Sequence, residues 1–258
     1  MNFIEKILDY KKDTIKDMYT KYGINYYQEQ FDSLNFNSYS FFNALNNGKL
    51  NLIAEIKKGS PSKGIINNNF DPLKLSVEYA QHGASALSVL TDEKFFYGSN
   101  LYLSHIKHKI KLPILRKDFI IDPIQVFESK AIGADALLLI IDFMDVDTCQ
   151  MLIDLAAELR MDVLLEIHDN SCLKKLLMLR GLKIIGINNR CLKTFTVSLE
   201  HSIEMKKLLQ DRFSYCLFVA ESGYSTKVEL DLISKHSFNA VLIGEGLVNQ
   251  KGLLSYFQ

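Results

Sequence analysis

Six apolar runs in this 258-residue sequence end in side chains suited to acid–base or anion chemistry. LNLIAEI (50–56) carries Glu55 and is followed by Lys57, and KLPIL (111–115) runs into Arg116-Lys117-Asp118-Phe119. DVLLEI (162–167) carries Glu166 and leads to His168, and KIIGI (183–187) leads to Asn188-Asn189-Arg190. CLFVA (216–220) is followed by Glu221-Ser222-Gly223, and AVLIG (240–244) ends at Gly244 with Glu245-Gly246 beyond. Side chains alternate faces along a strand, so Glu55 and Lys57, two apart, share one face. A charge that continues a buried face is costly unless it is paired or opens onto a substrate cavity. Lysines set among carboxylates supply a proton donor and an acceptor. An ordinary lysine titrates near about 10.4, and nearby positive charge or desolvation brings it towards a useful acid. Lys57 and Lys117, on separate strands, are expected to face each other and do this mutually.

These clusters need a frame that brings strand ends together. Two further runs, SALSVL (85–90) and ADALLLII (134–141), raise the strands to eight. Between the strands lie segments of helical period: 74–81, 124–132, 146–160, 173–179, 199–209, 227–235 and 246–257, with a weaker one at 100–109. Strand starts recur every 20 to 35 residues or so, the length of a strand plus a crossover helix. Pro72 and Pro123 each follow an Asp, the N-cap-then-N1 arrangement that opens a helix. Pro113 enters a strand near its start, and Pro61 sits in a loop. Eight such units form either a closed (β/α)8 TIM barrel or an open doubly wound sheet. The first turn, KKGSPSKG, has no G-x-G-x-x-G, and strand count and chain length favour the barrel within the α/β class. Residues 50–258 are assigned to it and 1–45 to a helical extension capping one end, with 1–258 as a single domain.

In that extension Phe3, Ile4, Ile7, Leu8, Ile15, Met18, Tyr19 and Tyr22 fall at helical spacing over residues 1–22. A polar, Asn-rich stretch follows to about Ser38, then a short apolar helix from Tyr39 to Leu45. In a barrel the active site forms at the C-terminal strand ends, where all six clusters lie. Glycines after the seventh and eighth strands suit a phosphate, which barrels of this type bind in those loops through backbone N–H groups. Ser60 in the first loop adds a hydroxyl. A G-x-G at 244–246 is weak by itself, since such glycines also make tight turns.

Thirty Lys plus Arg balance thirty Asp plus Glu, which gives no bulk attraction to nucleic acid or to an anionic membrane. The four cysteines include no C-x-x-C and fit a reducing compartment rather than a disulfide or zinc framework. A charged N-terminus without an apolar segment, and no run long enough to span a bilayer, lead to an expected cytoplasmic location. His105 and His108 lack a third ligand nearby and read as a solvated face, so no metal site is assigned.

IAEIKKGSPSKG (53–64), SVLTDEKFFYGS (88–99), PILRKDFIID (113–122), LLEIHD (164–169), IGINNR (185–190), AESGYS (220–225) and IGEGLV (243–248) resemble indole-3-glycerol phosphate synthase. They run in that family's order from about residue 40 to the end, and the N-terminal helix resembles its usual extension. The resemblance implies a (β/α)8 barrel that needs no cofactor or metal. Its substrate, 1-(2-carboxyphenylamino)-1-deoxyribulose 5-phosphate, closes to the indole with loss of CO₂ and water. It implies Lys117 as the acid of ring closure and Lys57 as the partner of the substrate carboxylate and a candidate for dehydration. Which lysine serves which step stays open. Glu166 is implied as base or as stabiliser of a cationic intermediate, with Glu55 and Asn188 orienting the groups around it. Phe119, Arg190, Glu221 and Ser222 resemble substrate-side positions. Ser60, Gly223, Gly244 and Glu245 resemble the phosphate loops, the last through its backbone.

Two departures stand out. Cys191 occupies the place after Asn-Asn-Arg where the family usually has Asp, so Arg190 should lean on another carboxylate or be more mobile. Gly59 stands where a larger residue is common and is expected to loosen the first loop. The nearest rival, the barrel isomerase of the preceding pathway step, would want a Cys base on the first strand and an Asp acid on the fifth. A non-catalytic scaffold would be expected to lose Lys57, Lys117 or Glu166, and all three stand. A monomer or weak homo-oligomer is expected. The sequence ends after the eighth unit, so no fused second enzyme is expected.

Overall fold

The computed structural model describes residues 3–33, 36–61, 63–192 and 194–258. Asn35, Ser62 and the side chain of Phe3, which belong to stretches considered above, lie outside the described residues.

Eight parallel strands close into a barrel: β1 (Asn51–Ile56), β2 (Ala84–Leu90), β3 (Ile114–Lys117), β4 (Ala136–Ile140), β5 (Asp162–Ile167), β6 (Ile184–Asn188), β7 (Leu217–Glu221) and β8 (Ala240–Ile243). Each pairs with its sequence neighbours, and β1 pairs with both β2 and β8. The helices are α1 (Phe3–Lys21), α2 (Gly23–Ser33), α3 (Phe41–Leu45), α4 (Pro72–Gln81), α5 (Glu93–Phe96), α6 (Asn100–Lys107), α7 (Pro123–Ala131), α8 (Val146–Glu158), α9 (Leu173–Leu176), α10 (Leu199–Leu209), α11 (Lys227–Lys235) and α12 (Glu245–Asn249). Asp71 and Asp122 cap α4 and α7 with Pro at the first turn, as their spacing predicts.

Two cores follow from strand alternation. The outer one packs residues such as Leu52, Leu87, Leu137 and Leu165 under the helices. The inner one stacks Ile53, Leu115, Leu138, Leu164, Ile184, Val219 and Leu242 inside the barrel. The inward rows, carried on by two residues at a time, arrive at Glu55, Lys117, Glu166, Asn188, Glu221 and Gly244. The pleat that fills the barrel therefore also aims the polar groups into its mouth.

The extension serves both ends of the barrel rather than capping one. Phe41 and Leu45 of α3 are fully buried among the inner residues and plug the N-terminal end. Tyr39 N–H donates to Asp135 and Phe42 N–H to Asp162, fixing that plug to the strand starts. α1 instead reaches the opposite end, where Ile4 and Ile7 line the mouth. α2 was not legible in its polar stretch. Its Tyr27 buries with Ile15, Met18, Ile124 and Ala131, so packing on α7 overrides weak local propensity. The last segment forms α12 and then a 3₁₀ turn, Lys251–Tyr256, instead of one helix.

Lys11 ties α1 to the mouth. The residue is 5% exposed, and its ammonium lies 2.9 Å from Asp92 Oδ2 and 2.6 Å from Asp118 Oδ1. Asp118 also accepts from Thr91 Oγ1 at 2.6 Å and from Arg116 Nη2 at 3.2 Å. Burial opposes ionisation of Asp118, but Lys11 and Arg116 outweigh it and hold the carboxyl down to about 2. Lys11→Met leaves buried Asp92 without its cation and Asp118 with Arg116 alone, which is expected to cost about 3–5 kcal/mol. Thermal or urea unfolding checks this, and a variant within about 0.5 kcal/mol of the parent would contradict it.

Candidate active site

The barrel mouth holds a cavity of about 480 Å³. Every residue to which the resemblance gives a site role lines it: Glu55, Lys57, Lys117, Glu166 and Asn188; Phe119, Arg190, Glu221 and Ser222; Ser60, Gly223, Gly244 and Glu245; His168 from the same strand-end clusters does not. Phe96, Phe119 and Phe143 supply an aromatic wall, with ring centroids 5.9 and 5.7 Å apart in succession.

Lys117 sits between two glutamates, its Nζ 3.1 Å from Glu166 Oε2 and 2.8 Å from Glu221 Oε2. Asn188 Nδ2 donates to Glu166 Oε1 at 3.0 Å and, through Oδ1, accepts from Arg190 N–H at 3.0 Å. Lys57 lies 2.5 Å from Glu55 Oε2. The expectation that the two lysines depress each other is corrected. Burial alone would lower Lys117, but Glu166, Glu221 and Glu55 outweigh it and raise its pKa above the usual lysine range. The acid is thus stored as a firmly held ammonium.

The two glutamates around Lys117 divide their roles. Burial, then repulsion from Glu166, pushes Glu221 up to about 8 despite the ammonium beside it. Glu166 is equally buried, but Lys117, His168 and Asn188 hold it well below the usual carboxylate range. The two glutamates therefore share charge unequally, with Glu166 the more readily ionised of the pair.

Glycines make the room. A Cβ on Gly186 would overlap Glu221 Oε1, and one on Gly244 would overlap Glu55 Oε2. Gly244 therefore seats the Glu55–Lys57 pair, a role its position after β8 did not disclose. Gly59 is also corrected. It pairs with Ile65 in a short hairpin, and a Cβ there would overlap Gly64 O and the Tyr97 ring, so glycine tightens the loop.

Around the rim, Lys63 pairs with Glu245, and with burial opposing, Lys63 holds the Glu245 carboxyl below its ordinary value, helped by the charges of Lys57 and Arg190. Arg190 Nη1 donates to Phe195 O at 3.1 Å, so a backbone carbonyl anchors the arginine where Asp was missing. Cys191 is exposed and does not line the cavity. Lys63, Ile4 and Ile7 were not recognised as site residues. Their neighbours in sequence are loop or amphipathic helix, and only the tertiary fold carries them to the mouth.

Residues 4–255 match the protein family described as Indole-3-glycerol phosphate synthase. The chain belongs to the indole-3-glycerol phosphate synthase family. Relatives bearing that name include one from Chlorobium chlorochromatii, 41% identical over 251 residues that cover 96% of this chain and 95% of the relative. Another, from Bacillus pumilus, is 48% identical over 221 residues, 85% of this chain and 87% of its own. A crystal structure of KGPDC from Streptococcus mutans superposes with a TM-score of 0.59 at 13% identity, covering 81% of this chain and 95% of that one. That likeness shows the barrel fold alone. Members of this family are carboxy-lyases, and in this chain the cavity opens at the mouth of the TIM barrel.

Proposed function

We propose that this chain closes 1-(2-carboxyphenylamino)-1-deoxyribulose 5-phosphate to indole-3-glycerol phosphate, releasing CO₂ and water. One observation carries the reading: Lys117 is held between Glu166 and Glu221 in a cavity that also contains the Lys57–Glu55 pair. The reaction is redox-neutral and asks for proton donors, a base and anion contacts, so no cofactor is assigned.

The aromatic wall at Phe119 takes the anthranilate ring, and Lys57 faces its carboxylate. As the ring carbon bearing that carboxylate attacks the ketone carbon, the Lys117 ammonium gives its proton to the ketone oxygen. A substrate lying between Lys117 and the glutamates weakens the attraction that holds the proton on the lysine. The nitrogen-stabilised cation that results lies against the Glu166 carboxylate. The C–CO₂ bond then breaks, its electron pair restores the aromatic ring, and CO₂ leaves. In dehydration the new hydroxyl departs as water with a proton from a lysine ammonium, while Glu166 takes a proton from the adjacent carbon. Glu55 and Asn188 orient Lys57 and Glu166, and Glu221 holds Lys117 from the other side.

The phosphate is assigned to the loops after β7 and β8, at Ser222, Gly223, Gly244 and Glu245, with Ser60 opposite and Arg190 and Lys63 supplying positive charge. All these groups come from one chain, which supports a single domain acting as a monomer or weak homo-oligomer. Balanced charge supports a free small-molecule substrate, without nucleic-acid or membrane partners, and a cytoplasmic place of work. Among the described residues, no helix is long and apolar enough to cross a membrane.

Inorganic phosphate tests the anion end. It should compete with the substrate, and the dephosphorylated substrate should bind at least about tenfold more weakly, the loss of a charge-assisted contact. Equal binding of the dephosphorylated compound would remove this assignment.

A further inference from the structure

Behind Glu166, away from the cavity, lies a buried histidine for which the reaction steps above have no use. His168 follows Glu166 by two residues, so the two share the face that the end of β5 presents. The histidine is 8% exposed and does not line the cavity. Its Nε2 lies 2.9 Å from Glu166 Oε1, and its Nδ1 lies 3.1 Å from Asp142 Oδ2 in the 3₁₀ turn after β4. Lys175 braces that turn by donating to Ile141 O and Met144 O. Cys172, from the next turn, is a neutral thiol pushed up to about 11 chiefly by burial. Across Glu166 stand Lys117, Asn188 and Glu221.

We propose that His168 is a positioning residue that keeps the Glu166 carboxylate ionised and aimed at the substrate when Lys117 gives up its proton. The proposal rests on the roles of Lys117 and Glu166 given above. In the resting site Glu166 leans on two cations, Lys117 through Oε2 and His168 beside Oε1. Once Lys117 has protonated the ketone it is neutral, and a buried carboxylate facing it would then tend to take a proton itself. His168 is the positive charge that remains. Burial opposes its protonation, but Asp142 and Glu166 raise it to about 9, so the imidazolium persists at neutral pH. Asp142 at Nδ1 holds the ring, and Nε2 stands 2.9 Å from Oε1 of Glu166 as a charge contact, while Asn188 donates to the same oxygen.

The test uses His168→Gln and Asp142→Asn in the full chain, with kcat and KM followed across pH. His168→Gln should lower kcat about tenfold or more while KM stays within about twofold. The acid limb of its kcat profile should move to higher pH by about one unit or more, as expected for a carboxylate that loses an adjacent cation. Asp142→Asn should move the limb the same way by a smaller amount. Nitrogen-15 NMR should find His168 as imidazolium at about pH 7 in the parent enzyme. Parental kcat and acid limb in His168→Gln, beside a Glu166→Gln variant that has lost turnover, would overturn the role of His168 alone. Undiminished turnover in Glu166→Gln would instead remove the reading on which the proposal rests. Should His168→Gln fail to fold, an unshifted limb in Asp142→Asn or a neutral His168 at about pH 7 overturns it.

Discussion

Lys117→Ala is expected to lower kcat by on the order of 10² to 10⁴, the usual contribution of a positioned proton donor, while KM changes only a few-fold. The split follows from geometry. Lys117 contacts Glu166 and Glu221, and its contact with the ketone oxygen strengthens only as charge develops there. The substitution also leaves two buried glutamates without their cation. Burial already disfavours charge on Glu221, so the loss falls mainly on Glu166, whose remaining cation is His168. A folded Lys117→Ala enzyme with turnover near the parent's would refute the assignment of the acid.

Glu166→Gln should cost at least about a hundredfold in kcat. Gln can still accept from Asn188, but its amide turns a donor towards the Lys117 ammonium at the place where Oε2 accepts at 3.1 Å. Removing the Glu166 charge also removes repulsion that raises Glu221, so Glu221 should ionise at lower pH and pair with Lys117 in its place. The expected signature is a deep loss of kcat with the Glu221 transition moved down from about 8. Carbon-13 NMR of labelled glutamates in parent and variant measures that shift. A Glu221 transition that stayed put would mean that the two carboxyls do not sense each other.

Much of this site was readable before the fold, because one period carries both. The alternation that makes Ile53, Leu164 and Val219 inner-core residues also makes Glu55, Glu166 and Glu221 mouth residues. What the sequence concealed depends on distance in space. Lys11 looks like one more polar residue on an amphipathic helix, yet it pairs with Asp92 and Asp118 from two different strand ends. Nothing in AESGYS or IGINNR says that Gly186 exists to make room for Glu221. The charge state of Lys117 was misjudged for the same reason. Spacing showed two lysines on two strands, but not that carboxylates from β5 and β7 would surround one of them. α2 escaped notice because its helix is held by α7 and not by its own composition.

The most direct measurement follows substrate carrying a labelled carboxylate and counts released CO₂ against indole-3-glycerol phosphate formed. The parent enzyme should yield the two in equal amounts, and Lys117→Ala should yield neither at more than about a hundredth of that rate. Labelled CO₂ released without indole product, or indole product formed equally well by Lys117→Ala, would contradict ring closure driven by the Lys117 proton.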